Sequence, residues 1–268
     1  MAARGPRARR VELSGVFSRR ILILIPHPDD EVVGCCAAIG RAQREGASVF
    51  GAFLTTGVPA AEVLWPWQRA AHHQRVEQRL GEARRAAEQL GLEPVCFRDT
   101  PTRRLKDHVP ANLDLIRSLI TEVHADMLWT PAYEGGHQDH DVASFLASRL
   151  RDRVPVWEFS EYNFFGGEVR SQEFLAPTGQ EQVQALDPAE QQRKRDLLAL
   201  YESEQGNLDY VRVEREVFRP LASYDYSRPP HQGKMFYQRF QWVPYHPRVD
   251  HTRPQEVCRA LASFASHS

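Results

Sequence analysis

The run Ile21-Leu22-Ile23-Leu24-Ile25, closed by Pro26, constrains this chain more than any other feature. Consecutive branched apolar side chains leave no polar face, so the segment reads as a strand buried on both sides, the kind found in parallel sheets. From Asp30 to Arg44, Val32, Val33, Cys36, Ala37, Ile39 and Ala42 recur at near-helical spacing, with acidic residues at the start and Gly46 beyond the end. Carboxylates in a first turn complement the positive end of the helix dipole. A second apolar strand is expected over 49–54. Strand, helix and strand in direct succession form a βαβ unit, whose crossover is right-handed in nearly all cases.

The alternation continues. The spacing predicts an amphipathic helix from about 68 to 90 closed by Gly91, a strand at 95–97, a helix over 112–124, a strand over 126–130, a loop over 131–136, a helix over 142–150 and a strand over 154–159. Such alternation implies an α/β fold, a three-layer Rossmann-like domain with a mostly parallel sheet. Beyond about Glu161 the periodicity fades, and Gly166-Gly167, Pro177 and Gly179 punctuate an irregular C-terminal extension. A helix over about 188–204 and an aromatic-rich strand over 235–243 are expected within it, with a loop around 227–231. The expected organisation is therefore a flexible basic tail over 1–19 and a single α/β domain over 20–268. Its core spans 20–160 and its substrate-side extension 161–268.

Composition narrows the function classes. A formal net charge of -1 removes the electrostatic case for nucleic acid as a partner. With 42% hydrophobic and 26% charged residues, the 268-residue chain has the makings of a packed core. Cys35, Cys36, Cys96 and Cys258 form no CxxC pair, which suits a reducing compartment, and a cytoplasmic location is expected. No stretch approaches the roughly 18 to 20 apolar residues of a membrane span, so no membrane insertion is expected. The Arg-rich start has no apolar run of signal-peptide length.

Chemistry concentrates in two clusters. Pro26-His27-Pro28-Asp29-Asp30-Glu31 falls between the end of the first strand and the start of the first helix, where ligands bind in open α/β sheets. Gly135-Gly136-His137-Gln138-Asp139-His140-Asp141 follows another strand. A strand-to-helix Asp is ordinarily an N-cap, and an isolated His-x-x-His pair an incidental surface feature. Neither explanation accounts for two such clusters at matching topological positions. A catalytic zinc takes three His or carboxylate ligands and leaves a position for water. His27, Asp30 and His140 can supply that set. Amide hydrolysis also needs a base, an oxyanion stabiliser and an acid, for which Asp29 and His137 are available. Glu31, Asp139 or Asp141 can orient the ligands from behind.

At these residues the chain resembles the PIG-L/LmbE-like zinc de-N-acetylases, which cleave acetyl from N-acetylglucosamine conjugates. The resemblance lies in His27-Pro28-Asp29-Asp30-Glu31 and His137-Gln138-Asp139-His140, with a third segment from Arg79 through Glu82-Ala83 to Leu90-Gly91. It implies His27, Asp30 and His140 as metal ligands, Asp29 as general base and His137 as acid or oxyanion stabiliser. Zn2+ is the implied cofactor, with Fe2+ and other divalent ions compatible with the same donors. The implied substrate is a small N-acylated amino sugar or glycoconjugate. The chain departs from the family pattern at Gln138, often proline there, at Val58 after Thr55-Thr56-Gly57, and at Tyr201-Glu202-Ser203-Glu204.

On the substrate side, Arg79, Arg103, Arg104, Trp157, Tyr162 and His231 are expected to contribute, with Trp65, Trp67, Phe164 and Phe165 as further stacking surfaces. Two other classes compete with the deacetylase. A non-catalytic metal-binding scaffold would normally close its site with four ligands, often Cys, and neither cluster contains one. A metal-dependent phosphoesterase would hold two metals about four ångströms apart.

Overall fold

The computed structural model describes residues 15–247 and 249–265. The apolar run lies in strand β1 (Arg20–Ile25), with residues 21–25 all buried. Ile21, Ile23 and Ile25 face one hydrophobic layer, and Leu22 and Leu24 face the other. Each such side chain contributes about 1.5–3 kcal/mol by leaving water.

Strands β2 (Ser48–Phe53), β3 (Glu93–Phe97), β4 (Met127–Pro131) and β5 (Val156–Phe159) join β1 in the parallel order β3-β2-β1-β4-β5. On one face pack α1 (Asp30–Arg44), α3 (His72–Leu90) and α6 (Pro188–Ala199). On the other pack α4 (Val109–Glu122), α5 (Gln138–Ser148) and α7 (Pro254–Ala265). The chain reverses its direction of travel across the sheet between β1 and β4, which opens a crevice at their carboxyl ends. Both chemical clusters leave the sheet at that point.

Several boundaries differ from the sequence expectation. The helix expected from 68 is two pieces, α2 (Pro66–Arg69) and then α3. The helix expected from 112 begins at Val109, where Pro110 suits a first turn that needs no N–H. Helix α5 begins at Gln138 rather than 142. Its polar first turn is buried by the site and not by the apolar core, so hydropathy misses it. Val16, inside the expected tail over 1–19, is instead buried, and its carbonyl accepts the Trp129 indole N–H at 3.1 Å. Residues 1–14 of the tail lie outside the described residues.

The C-terminal extension is more regular than its sequence suggests. Tyr162–Asn163 (β6) and Arg170–Ser171 (β7) form a small antiparallel pair. Gln182–Ala185 (β8) and Arg215–Pro220 (β9) extend the main sheet, β9 pairing antiparallel with both β5 and β8. Charge hides β9 from hydropathy: Glu216 and Arg219 are buried, but each has an oppositely charged partner. Helix α6 stops at Ala199, and a separate 3-10 turn spans Glu202–Glu204. The strand expected over 235–243 is absent. Phe236–Gln238 forms a 3-10 turn there, because Phe236 and Tyr237 pack under the loop after β4 instead of pairing with an edge strand. Among the described residues, no helix is long and apolar enough to cross a membrane.

Candidate active site

The turn from β1 into α1 is held from several sides. The His27 N–H donates to Asp30 Oδ2 at 2.7 Å, the Asp29 N–H to Glu31 Oε2 at 3.1 Å, and the Thr55 hydroxyl to the Pro26 carbonyl at 2.7 Å. Asp29 sits at φ 125°, a conformation rare for a non-glycine residue. Backbone strain of this kind costs on the order of 1–3 kcal/mol and persists only where the surroundings impose it. On the β4 side, His137 caps α5, its Nδ1 accepting the Asp139 N–H at 3.1 Å.

Three side chains converge across the crevice. His27 Nδ1 lies 3.1 Å from His140 Nε2 and 3.4 Å from Asp30 Oδ2, and His140 Nε2 lies 3.3 Å from Asp30 Oδ1. Bond lengths of about 2.0–2.1 Å in a tetrahedral zinc site imply donor spacings of about 3.3 Å. The triangle therefore has the size that one small divalent cation requires. A second grouping, His27, His137 and Asp139, also brings its donor atoms close together. There Asp139 is already engaged: its Oδ2 accepts from Thr102 Oγ1 at 3.0 Å and the Arg103 N–H at 2.6 Å, and lies 3.1 Å from His27 Nε2. That saturation suits a carboxylate that orients His27 and leaves Nδ1 facing the triangle.

The cluster draws in positive charge. Burial opposes a charge on the His27 imidazole, yet Asp30 and Asp139 outweigh it and push the pKa up to about 10. Burial likewise favours the neutral form of Asp30, but His140 and His27 hold its carboxyl well below the usual range. Asp29 is raised to about 7, chiefly by burial, with the Arg79 guanidinium pulling the other way. Burial and the neighbouring His27 keep His137 neutral. Glu161 lies behind His140, its Oε2 3.4 Å from Nδ1, and burial with Asp30 and Asp29 nearby pushes its carboxyl far upward.

The PIG-L family model, described as GlcNAc-PI de-N-acetylase, matches residues 22–150. That match covers just under half of the chain, the part that carries both His/Asp clusters. The chain is also similar to 1D-myo-inositol 2-acetamido-2-deoxy-alpha-D-glucopyranoside deacetylase of Geodermatophilus obscurus, 32% identical over 158 residues. That match spans 50% of this chain and about half, 53%, of the relative. Among solved structures, a deacetylase of the teicoplanin biosynthesis pathway superposes with a TM-score of 0.61 at 19% identity, over 77% of this chain and 99% of that one. The 4-carboxy-2-hydroxymuconate hydratase of Pseudomonas putida superposes with a TM-score of 0.54 at 16% identity, over 77% and 98%. A hydratase and a deacetylase share the architecture, so the fold alone does not choose the reaction.

The residues expected on the substrate side are distributed unevenly around this site. Arg79 is buried on α3 and donates to Asp29 Oδ2 at 2.8 Å, with Ser203 and Glu204 on its other nitrogen, so it braces the carboxylate. Arg103 ties two loops together through the Pro247 and Val249 carbonyls. Arg104 is exposed and pairs with Glu62 and Asp107. Trp157 lies mid-strand in β5 and packs on the core, which corrects its expected substrate role. Tyr162 does border the site, its ring 5.5 Å from that of His140. His231 lies over the Gly135 turn, where an added Cβ would meet its Nε2 at 3.5 Å. Gln138 donates to Asp250 at 2.6 Å and Thr252 at 2.9 Å, tying the C-terminal segment to α5.

Sequence reasoning missed Glu161 and Tyr210, and noted Tyr201 only as part of a segment that departs from the family pattern. The Tyr201 hydroxyl donates to Glu31, and Tyr210 packs 4.8 Å from Tyr162. All three belong to the extension, where hydrophobic periodicity is weak.

Proposed function

We propose that this chain is a divalent-metal-dependent hydrolase that removes the acetyl group from the nitrogen of an amino sugar conjugate. The observation that carries the proposal is the convergence of His27 Nδ1, His140 Nε2 and Asp30 at cation-sized spacings, with the Asp29 carboxylate beside them. The family match and the named activity of the Geodermatophilus relative supply the reaction class.

In this reading His27, Asp30 and His140 hold the cation, which supplies Lewis acidity for the amide carbonyl and acidifies water. Imidazole and carboxylate donors suit zinc and also ferrous iron. Asp139 fixes the His27 ring, and Glu161 faces His140 Nδ1 at 3.4 Å. Arg79 holds Asp29 Oδ2, so Oδ1 takes the proton of the water whose oxygen bonds to the carbonyl carbon. The same carboxyl then delivers that proton to the departing nitrogen as the C–N bond breaks, giving acetate and a free amine. His137 accepts an N–H on Nδ1, so in its neutral form Nε2 carries the hydrogen and donates to the developing oxyanion.

The test is release of free amine and acetate from N-acetylglucosamine conjugates, N-acetylglucosaminyl-inositol among them. Turnover that stops with chelator and returns with zinc or ferrous ion is the expected result. Intact substrates throughout, with metal bound at the site, would overturn the proposal.

A further inference from the structure

Among the described residues, the two buried arginines have carboxylate partners. Arg79 pairs with Asp29 at 2.8 Å and Glu204 at 2.9 Å, and Arg219 with Glu158 at 2.6 Å and Glu181 at 3.1 Å. Arg239, half-buried, is held differently. Its guanidinium carbon lies 3.3 Å from the Phe236 ring centroid, 5.2 Å from that of Phe240 and 5.9 Å from that of Tyr210. Only Nε is engaged, donating to the Phe236 carbonyl at 3.1 Å, and among the described residues no carboxylate forms an ion pair with it. Half-buried, it keeps the Nη fork free, the geometry that matches carboxylate and phosphate oxygens.

The platform beneath Arg239 leads into the proposed catalytic centre. Phe236 packs 4.4 Å from Tyr162 and 4.8 Å from Tyr210, and Tyr162 packs 5.5 Å from His140. The Phe236 N–H donates to the Gly135 carbonyl at 2.8 Å, fixing the platform to the turn that carries His137. The chain of contacts from His140 through Tyr162 and Phe236 thus ends at the half-buried guanidinium. An arginine held by ring faces and one carbonyl stays charged but lacks an anion.

We infer that Arg239 is a specificity-determining residue that binds an anionic substituent, phosphate or carboxylate, on the amino sugar conjugate. The inference rests on the deacetylase reading. Its kinetic test is the ratio of kcat/KM for anionic over neutral substrates: N-acetylglucosamine 1-phosphate and N-acetylmuramic acid against methyl N-acetylglucosaminide. The expected preference in the native enzyme is about tenfold or more, carried mainly by KM. Arg239→Met abolishes it and Arg239→Lys, a charge without the fork, restores part. The phosphate and lactyl carboxylate arms show which anion fits better. Calorimetry with the matching amines, glucosamine 1-phosphate, muramic acid and methyl glucosaminide, reads binding without turnover. If no acetylated sugar is hydrolysed but Arg239→Met still loses the anionic ligands, the deacetylase reading falls and the Arg239 site stands. A native enzyme without anionic preference in either assay, or the same preference in Arg239→Met, overturns the assignment.

Discussion

Two buried charged clusters in this molecule are built on opposite terms. Behind helix α1, Lys194 and Glu216 form an ion pair at 2.9 Å, both fully buried. Lys194 also donates to the Val33 carbonyl at 2.8 Å, and Glu216 accepts the Ala37 and Ala38 N–H groups at 3.0 and 2.9 Å. One positive charge meets one negative charge, and both have further hydrogen bonds. At the front of the same helix, Asp29, Asp30, Glu31, Asp139 and Glu161 crowd together, with Arg79 as the permanent cation paired among them. Among the described residues, neither Glu161 oxygen has a hydrogen-bond partner, although Oε2 approaches His140 Nδ1 to 3.4 Å. A balanced cluster anchors a helix, whereas an excess of negative charge around two facing imidazoles prepares a cation site. Burial alone does not distinguish them; the sum of charge does.

The largest test of this contrast is at Asp29. Asp29→Asn is expected to keep the metal, measured by elemental analysis, and to lose about 10²- to 10⁴-fold in kcat, the range for a lost general base. His140→Ala is the complementary variant, expected to lose stoichiometric metal as well as activity. Full metal content in His140→Ala would break the ligand assignment.

Lys194→Met should do the reverse. It removes one partner of a buried pair and leaves Glu216 without its countercharge, so a loss of about 3–5 kcal/mol in denaturant unfolding is expected. Purified folded Lys194→Met should still bind metal. If it melts like the native protein while losing metal, the two clusters are not separate in purpose.

A finer comparison comes from Glu161→Gln. Weakening the carboxylate behind a ligating histidine is expected to reduce metal affinity about 10- to 100-fold, read by chelator competition. Unchanged affinity would make Glu161 a bystander. The smallest effect is at Arg104, whose side chain is exposed with partly exposed partners. Arg104→Ala should change stability by less than about 0.5 kcal/mol in thermal or denaturant melts.

Legibility in the sequence follows the same division. The β1 run, the helix after it and the two His/Asp segments are local signals: each needs only its own neighbours to be read. The crossing of the sheet between β1 and β4 then brings those segments together, as parallel α/β topology leads one to expect. Strand β9 was invisible because Glu216 and Arg219 look like surface residues until Lys194 and Glu158 are placed beside them. Phe236 and Tyr237 looked like strand residues because their aromatic content suits a sheet. Trp157 looked like a sugar platform because an indole's role depends on which face of β5 it occupies.

By itself, then, the sequence determined the alternating α/β order, the direction of the parallel strands and the residue types available for metal chemistry. Only the tertiary structure decided which ring each carboxylate serves, Asp139 behind His27 and Glu161 behind His140, and that Arg239 rests on rings with no carboxylate ion pair among the described residues. The reason is electrostatic. A charged side chain acquires its meaning from the charges within a few ångströms of it, and those neighbours come from segments far away along the chain.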